Sequence, residues 1–460
     1  MPKDMRTWIR QLEEAGELVR VSKPVHPQSE MGAIMYQTRD KALFFEQLRG
    51  YPGWRSLGQA PANPRQAALA FDTTLEKVVP TFASKLHLRE PCEMVQSGPV
   101  KEVILTGDKV DIQKLPAHQA GIRDAGPFIT AGLCVTRDPD TGIRNMSFHR
   151  MQVKSRTRTG MLLVPRHSFL NYRKYEARNE PMPIAIFIGH HPLYYMAAAT
   201  TGPYEMDELE LAGGLLGEPV KLVRCETLDL EVPCDAEIVL EGHVLPHVRE
   251  EEGPFSEFQD YYIAGQGKNP VIEFQAMTMR KDAIFKNVQN GSEVEGCVYH
   301  KLPMAAAIYN RLKNIGGFVD LKNVMTLPGI FGVVVQMTPR FYGEAKNVLM
   351  SVLSCEYLHP KVAVAVDEDV DIFNNTEVIW AINTRVDPAE DIMVLPGMRI
   401  IPMDPTGKEF GTTGQPTWHR IGGKVIIDAT KPPTCDPEAR DLFERIQPIG
   451  GGEIKLQDYL

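Results

Sequence analysis

What this chain of 460 residues lacks narrows its function before any motif is read. No apolar run approaches the roughly 20 residues that a bilayer-spanning helix needs. The N-terminal stretch MPKDMRTWIRQLEEAGELVRV alternates charge with apolar residues and has no hydrophobic signal core. The 7 cysteines are scattered, odd in number and without a C-x-x-C pair, which argues against a disulfide framework or a thiolate metal site and for reduced thiols in the cytoplasm. A net charge of -9 supplies no basic footprint for nucleic acid or an anionic membrane. There is no H-E-x-x-H, no G-x-G-x-x-G opening a helix, no P-loop and no nucleophile elbow. A zincin, a Rossmann dinucleotide site, a nucleoside triphosphatase and a serine hydrolase are therefore unsupported.

What is present suits a soluble globular protein of two or three domains, with 43% hydrophobic and 24% charged residues. In the N-terminal segment Met5, Trp8, Ile9 and Leu12 share one face of an amphipathic helix that Gly16 ends. Residues 1–100 read as a small α+β domain. Residues 101–304 are β-rich, with strands expected at Val103 to Thr106, Ile129 to Thr136, Ala185 to Ile188, Val220 to Cys225, Ile238 to Glu241 and Val271 to Met279, a spacing that suggests a sheet curling toward a barrel. Residues 305–445 alternate helix and strand as an α/β domain with parallel strands: a helix over Ala345 to Leu353, a buried strand Val362 to Val366, a helix Thr376 to Asn383 capped by Asn374 or Asn375, and a strand Val425 to Asp428. Residues 446–460 form a tail. The stretch Leu395 to Arg420, dense in Pro, Gly and Thr, reads as a loop that closes over a ligand or as an inert excursion.

The densest chemistry lies in EEEGPFSEFQDYY, Glu250 to Tyr262, where Glu252 and Glu257 flank a Gly253-Pro254 turn. Two carboxylates so held can divide acid and base duties, and the bland alternative is a solvated acidic turn. The strand-like Ile143 to Val153 puts Asn145, Ser147, His149 and Met151 on one face and Met146, Phe148, Arg150 and Gln152 on the other, as a strand lining a polar cavity or an edge strand half in water would. Any metal site must be assembled from distant segments. Asn145, His167 and Glu208 would offer an amide oxygen, an imidazole and a carboxylate, a set suited to Mn²⁺ or Mg²⁺, although a lone histidine such as His167 is more commonly a surface or hydrogen-bonded one.

Taken in order, NMSFHRMQV, VPRHSF, MDELELAGGLLGEPVKLVRCE, EGPFSEF and HPKVAVAVDEDVDI with VIWAINTR resemble the UbiD-like family of decarboxylases over nearly the whole chain, and the phenolic and aromatic acid branch most. The resemblance implies an N-terminal α+β domain, a central split β-barrel of the flavin-reductase type that holds prenylated FMN, and a C-terminal α/β oligomerisation domain. It implies that Asn145, His167 and Glu208 bind Mn²⁺ (or Mg²⁺) beside the cofactor phosphate, with K⁺ near Ala197 to Thr200 and Glu208. Ser147, Phe148, His149, Arg150, Arg166 and Lys361 join them as cofactor contacts. Arg150, Glu252 and Glu257 match the family's catalytic network: Arg150 holds the substrate carboxylate, Glu252 holds Arg150, and Glu257 returns a proton to carbon after CO₂ leaves. Ser256 stands where a Gly is frequent, and Glu257 where some quinone-biosynthesis members carry Asp, which points away from the ubiquinone pathway.

The function so implied is reversible, non-oxidative decarboxylation of an aromatic, heteroaromatic or α,β-unsaturated acid, with a flavin prenyltransferase as cofactor supplier and a homodimer or hexamer as assembly. Two competing readings are an accessory subunit of a larger carboxylase and an FMN-dependent reductase. Asn290 to Leu302, Phe258 and the stretch after Leu395 are expected to border the pocket, with Glu293, Glu295, His300 and Lys301 as candidate readers of a ring substituent.

Overall fold

The computed structural model describes residues 3–263, 267–315, 319–409, 420–450 and 454–459. Its N-terminal helix Met5–Glu14 starts at Asp4, whose side chain accepts from Thr7 N in a reciprocal capping box. Met5, Trp8, Ile9 and Leu12 are buried, and the chain leaves the helix at Gly16 with φ +68°. A four-stranded sheet beside it runs in the order Leu18–Val21, Ala42–Phe45, Arg55–Gly58 and Ile284–Lys286, so its last strand comes from far along the chain.

At the centre, six strands close into an antiparallel barrel. Ile238–Glu252 pairs with Met182–Ile188, which pairs with Phe128–Arg137, then Arg144–Val153, Arg158–Met161 and Gly267–Met279, and the last pairs back to the first. The Phe128 and Met182 strands are apolar on both faces because other elements cover both, whereas Arg144–Val153 mixes polar and apolar side chains. Val103–Thr106 hangs on the Gly267–Met279 strand outside the closed ring. Lys221–Arg224 lies outside it altogether, in a three-stranded sheet with Glu231–Pro233 and Glu93–Met94.

The C-terminal sheet has the order Asp320–Thr326, Gly332–Thr338, Val362–Val366, Arg420–Ala429, Ile392–Ile400. The three central strands are parallel and the two outer ones antiparallel, so the parallel expectation holds for the middle of the sheet alone. Helices Glu344–Leu353 and Asn375–Arg385 flank it, and Asn374 is the cap, accepting from Thr376 N. Part of the stretch expected to be a loop is sheet, since Leu395 lies in the strand Ile392–Ile400 and Lys408–Glu409 pairs with the start of Arg420–Ala429, whereas residues 401–407 are turns and irregular backbone as expected. Residues 410–419 of that stretch lie outside the described residues. The long helix Glu295–Lys313 runs across residue 304 and joins the barrel half of the molecule to the C-terminal half. Among the described residues no helix is long and apolar enough to cross a membrane, and all seven cysteines are free.

Candidate active site

A cavity of about 560 Å³ opens between the barrel and the C-terminal sheet. The volume suits a cofactor with a small substrate. Its barrel wall is the strand Arg144–Val153 together with the start of helix His167–Ala177, and its opposite wall comes from Glu356 to His359 and from Arg399 to Met403.

One end is built on Arg150. Its Nε and one terminal nitrogen each donate at 3.0 Å to the two oxygens of Glu252, and the other terminal nitrogen donates to Glu257 Oε1. The side chains come from elements 102 and 107 residues away. Three details of the fold place them. Glu252 ends the strand Ile238–Glu252; Gly253 turns the chain at φ +86°, a conformation glycine accepts without strain; and Gln152, two residues beyond Arg150, accepts from Gly253 N at 3.1 Å. Asp124 then fixes the far side of the turn by accepting from Ser256 N at 2.7 Å. The Phe255 ring lies 4.8 Å from the guanidinium carbon.

The two carboxylates sit at different depths. Glu252 is fully buried, accepts a further hydrogen bond from Asn269 at 2.9 Å and does not reach the cavity wall, whereas Glu257 does. Burial pushes the Glu257 carboxyl up to about 7, against the opposing pull of Arg150 and with an added push from Glu252. A guanidinium has five N–H donors, and these contacts use three, so two remain for an anion in the cavity. The edge formed by Nε and one terminal nitrogen belongs to Glu252, so a substrate carboxylate cannot use that edge. The arrangement can therefore bind a carboxylate and deliver a proton beside it.

The other end is built on Glu208, the first residue of helix Glu208–Leu216. It is 3% exposed, accepts from Met146 N at 2.7 Å and from the Asn145 amide at 3.0 Å, and burial raises its carboxyl above the ordinary range. Among the described residues its one ion-pair neighbour is His167, with Nδ1 3.8 Å from Oε1. Asn145 Oδ1 accepts from Ser168 Oγ at 2.6 Å, which in turn lies 2.6 Å from Ser147 Oγ, and His149 Nε2 lies 2.9 Å from that same hydroxyl. Burial lowers His149 to about 4, so the ring is neutral. Helix His167–Ala177 has Arg166 at its N-cap with no side chain capping it, so its first-turn amides are left for an anion. No group of three His, Cys, Asp or Glu able to hold a metal exists among the described residues, and the oxygen- and nitrogen-rich set at Glu208 includes an amide in place of the third such ligand. A buried carboxylate with a carboxamide and an imidazole beside it, facing a helix N-terminus, would fit a divalent cation next to a phosphate once the Asn145 amide, whose nitrogen now faces Glu208, turns its oxygen to the site.

Asn145, Ser147, Phe148, His149, Arg150, Arg166, His167, Glu208 and Glu257 all line the one cavity. Lys361 does not: its ammonium pairs with Asp404 Oδ2 at 2.8 Å and donates to Thr406 at 3.2 Å. Of the candidate substituent readers only His300 reaches the cavity; Lys301 pairs with Glu293, and Glu295 with Lys286. Asn290 and Phe258 line it as expected. Sequence reading missed His359, Tyr357 and Ile330, for which no local pattern gives a signal.

Three consecutive family profiles match the chain: the 3-octaprenyl-4-hydroxybenzoate carboxy-lyase N-terminal domain over residues 9–86, its Rift-related domain over 93–293 and its C-terminal domain over 297–429. The chain is 31% identical over 462 residues to the phenolic acid decarboxylase of Bacillus subtilis, covering 96% of this chain and 95% of that one. It is 39% identical to the anhydromevalonate phosphate decarboxylase of Methanothermobacter thermautotrophicus over 70% of this chain and 74% of that one. An evolved dimeric form of the UbiD-class enzyme HmfF from Pelotomaculum thermopropionicum, solved in complex with prFMN, superposes with a TM-score of 0.88 at 34% identity, with 100% of both chains covered.

Proposed function

Because this chain belongs to the UbiD family of carboxy-lyases, we propose that it is a reversible, non-oxidative decarboxylase of an aromatic, heteroaromatic or α,β-unsaturated carboxylic acid that works with prenylated FMN. The observation that carries the reading is Arg150 held between two buried carboxylates of which only Glu257 opens on the cavity. The names of the relatives span both an aromatic and an unsaturated, non-aromatic acid, and support the breadth of the substrate class.

Asn145, His167 and Glu208 would hold Mn²⁺ or Mg²⁺ against the cofactor phosphate, Arg166 and the first-turn amides of its helix would receive that phosphate, and the carbonyls near Ala197 to Thr200 would take K⁺. Ser147, Phe148 and His149 would flank the cofactor on the same strand. When bound, the prenylated flavin supplies the electron sink for the density left as CO₂ departs. The protein does the rest. The two remaining donors of Arg150 bind and orient the substrate carboxylate, Glu252 keeps the guanidinium from turning, and Glu257 carries the proton that is delivered to carbon. In the carboxylation direction Glu257 takes that proton back. Seven free thiols suit a cytoplasmic, reducing setting, a flavin prenyltransferase would supply the cofactor, and the assembly would be a homodimer or a hexamer of dimers.

The test is co-expression with a flavin prenyltransferase, followed by absorbance, intact mass of the extracted cofactor and CO₂ release from a panel of acids. Prenylated FMN with turnover that Glu257→Gln sharply lowers is the expected result. Unprenylated FMN with NAD(P)H oxidation would replace this reading by a reductase, and absence of any flavin by an accessory subunit.

A further inference from the structure

Beside Glu208 the cavity wall carries a chain of four polar contacts. His149 Nδ1 lies 3.1 Å from Leu162 O, His149 Nε2 2.9 Å from Ser147 Oγ, Ser147 Oγ 2.6 Å from Ser168 Oγ, and Ser168 Oγ 2.6 Å from Asn145 Oδ1. Both ends can only accept. A carbonyl oxygen closes the chain at Leu162 and an amide oxygen closes it at Asn145, so each contact needs a hydrogen from the groups between them. Only three are there, one on each hydroxyl and one on the imidazole, which burial keeps neutral. The imidazole hydrogen goes to Leu162 O, the Ser147 hydrogen to His149 Nε2 and the Ser168 hydrogen to Asn145 Oδ1. The two serine oxygens then face each other at 2.6 Å with no hydrogen between them.

Turning the Asn145 amide removes the deficit. Its Nδ2 then donates to Ser168 Oγ, Ser168 to Ser147, Ser147 to His149 Nε2 and His149 Nδ1 to Leu162 O, so every contact holds one hydrogen. The same turn brings Oδ1 to the side of Glu208, where Nδ2 now donates at 3.0 Å to both carboxylate oxygens. Without a cation the turn sets an amide oxygen against a carboxylate; with one, both become ligands. We infer that His149, acting through Ser147 and Ser168, is a positioning residue that biases Asn145 to offer its oxygen to a divalent cation beside Glu208. This rests on the metal site of the proposed function and adds to it the groups that orient one ligand. His149 makes no hydrogen bond to Asn145, His167 or Glu208 among the described residues, so its influence on the cation passes along the chain.

The experiment titrates Mn²⁺ into the full-length, chelator-treated protein in the presence of FMN and follows free Mn²⁺ by electron paramagnetic resonance, which needs no turnover. His149→Phe frees Ser147 to donate to Ser168 and so satisfies the chain with Asn145 as it stands; Mn²⁺ should bind roughly tenfold more weakly than to the wild type. Ser147→Ala, a smaller change that breaks the chain in its middle, should weaken binding alike. His149→Gln, whose amide offers a donor and an acceptor as the imidazole does, should recover most of the affinity. In an Asn145→Asp background either turn of the side chain presents an oxygen, and His149→Phe should then change the affinity by less than about twofold. Wild-type affinity in both His149→Phe and Ser147→Ala, or an equal loss in the Asn145→Asp background, overturns the inference and leaves the metal site in place. Absence of Mn²⁺ binding by the wild type overturns both.

Discussion

The two ends of the cavity hold buried carboxylates in opposite ways. At one end Arg150 lies between Glu252 and Glu257 with its charge answered on two sides; at the other Glu208 is buried with only a histidine 3.8 Å away. Both are costly to desolvate, and the difference shows what each is for. A guanidinium cannot leave, so the first end is a fixed charge network in which protons can be moved. At the second end no lysine or arginine pairs with Glu208 among the described residues, and the proposed reading assigns the missing positive charge to a divalent cation.

Removing the fixed cation should break the contrast most severely. Arg150→Met leaves two buried carboxylates unanswered; unfolding in denaturant should show a loss of about 3–5 kcal/mol together with loss of CO₂ release. Next, Glu257→Gln should lower turnover by roughly 10²- to 10⁴-fold with little change in stability or in cofactor absorbance, since shape and the Arg150 contact are kept. The wild-type rate should fall as pH rises through about 7, because Glu257 must carry its proton to donate it. Linkage has the same sign: a carboxyl raised in the folded state gives stability that is present below its unfolded value and lost as pH climbs towards 7. Glu257→Gln should flatten both profiles, and an unchanged rate profile in that variant would assign the proton elsewhere.

At the other end the effect should be smaller and should depend on added metal. Mn²⁺ at a hundred times its dissociation constant should stabilise the wild type by about 2.7 kcal/mol in thermal unfolding, a chelator should reverse this, and Glu208→Gln should remove the response. Smallest of all, Asn269→Ala withdraws one donor from Glu252 and should cost about 1 kcal/mol in denaturant unfolding, with Arg150 keeping its place through the remaining contacts.

Local pattern made a good part of this legible. The apolar face of Met5, Trp8, Ile9 and Leu12, the strand Val362–Val366 and the alternation of Arg144–Val153 are short-range signals that tertiary packing did not override. The turn bearing Glu252 and Glu257 announces itself by its residue types. Depth does not: nothing in EEEGPFSEF says that Glu252 faces away from the cavity and Glu257 into it, because that order is set by Arg150 on a strand 102 residues earlier. Lys361 and Lys301 look free in the sequence, and their partners Asp404 and Glu293 emerge only once the chain is folded. The closing strand of the first sheet is too short to carry a periodicity of its own.

That closing strand also orders events during synthesis. Arg55–Gly58 must wait for Ile284–Lys286 before its second edge is covered, an interval of roughly 10–45 s at ordinary rates of translation. Until then the nascent N-terminal sheet presents an open strand edge outside the ribosome, and a chain cut between the first family segment and residue 284 should be captured by chaperones or aggregate rather than accumulate as a stable domain.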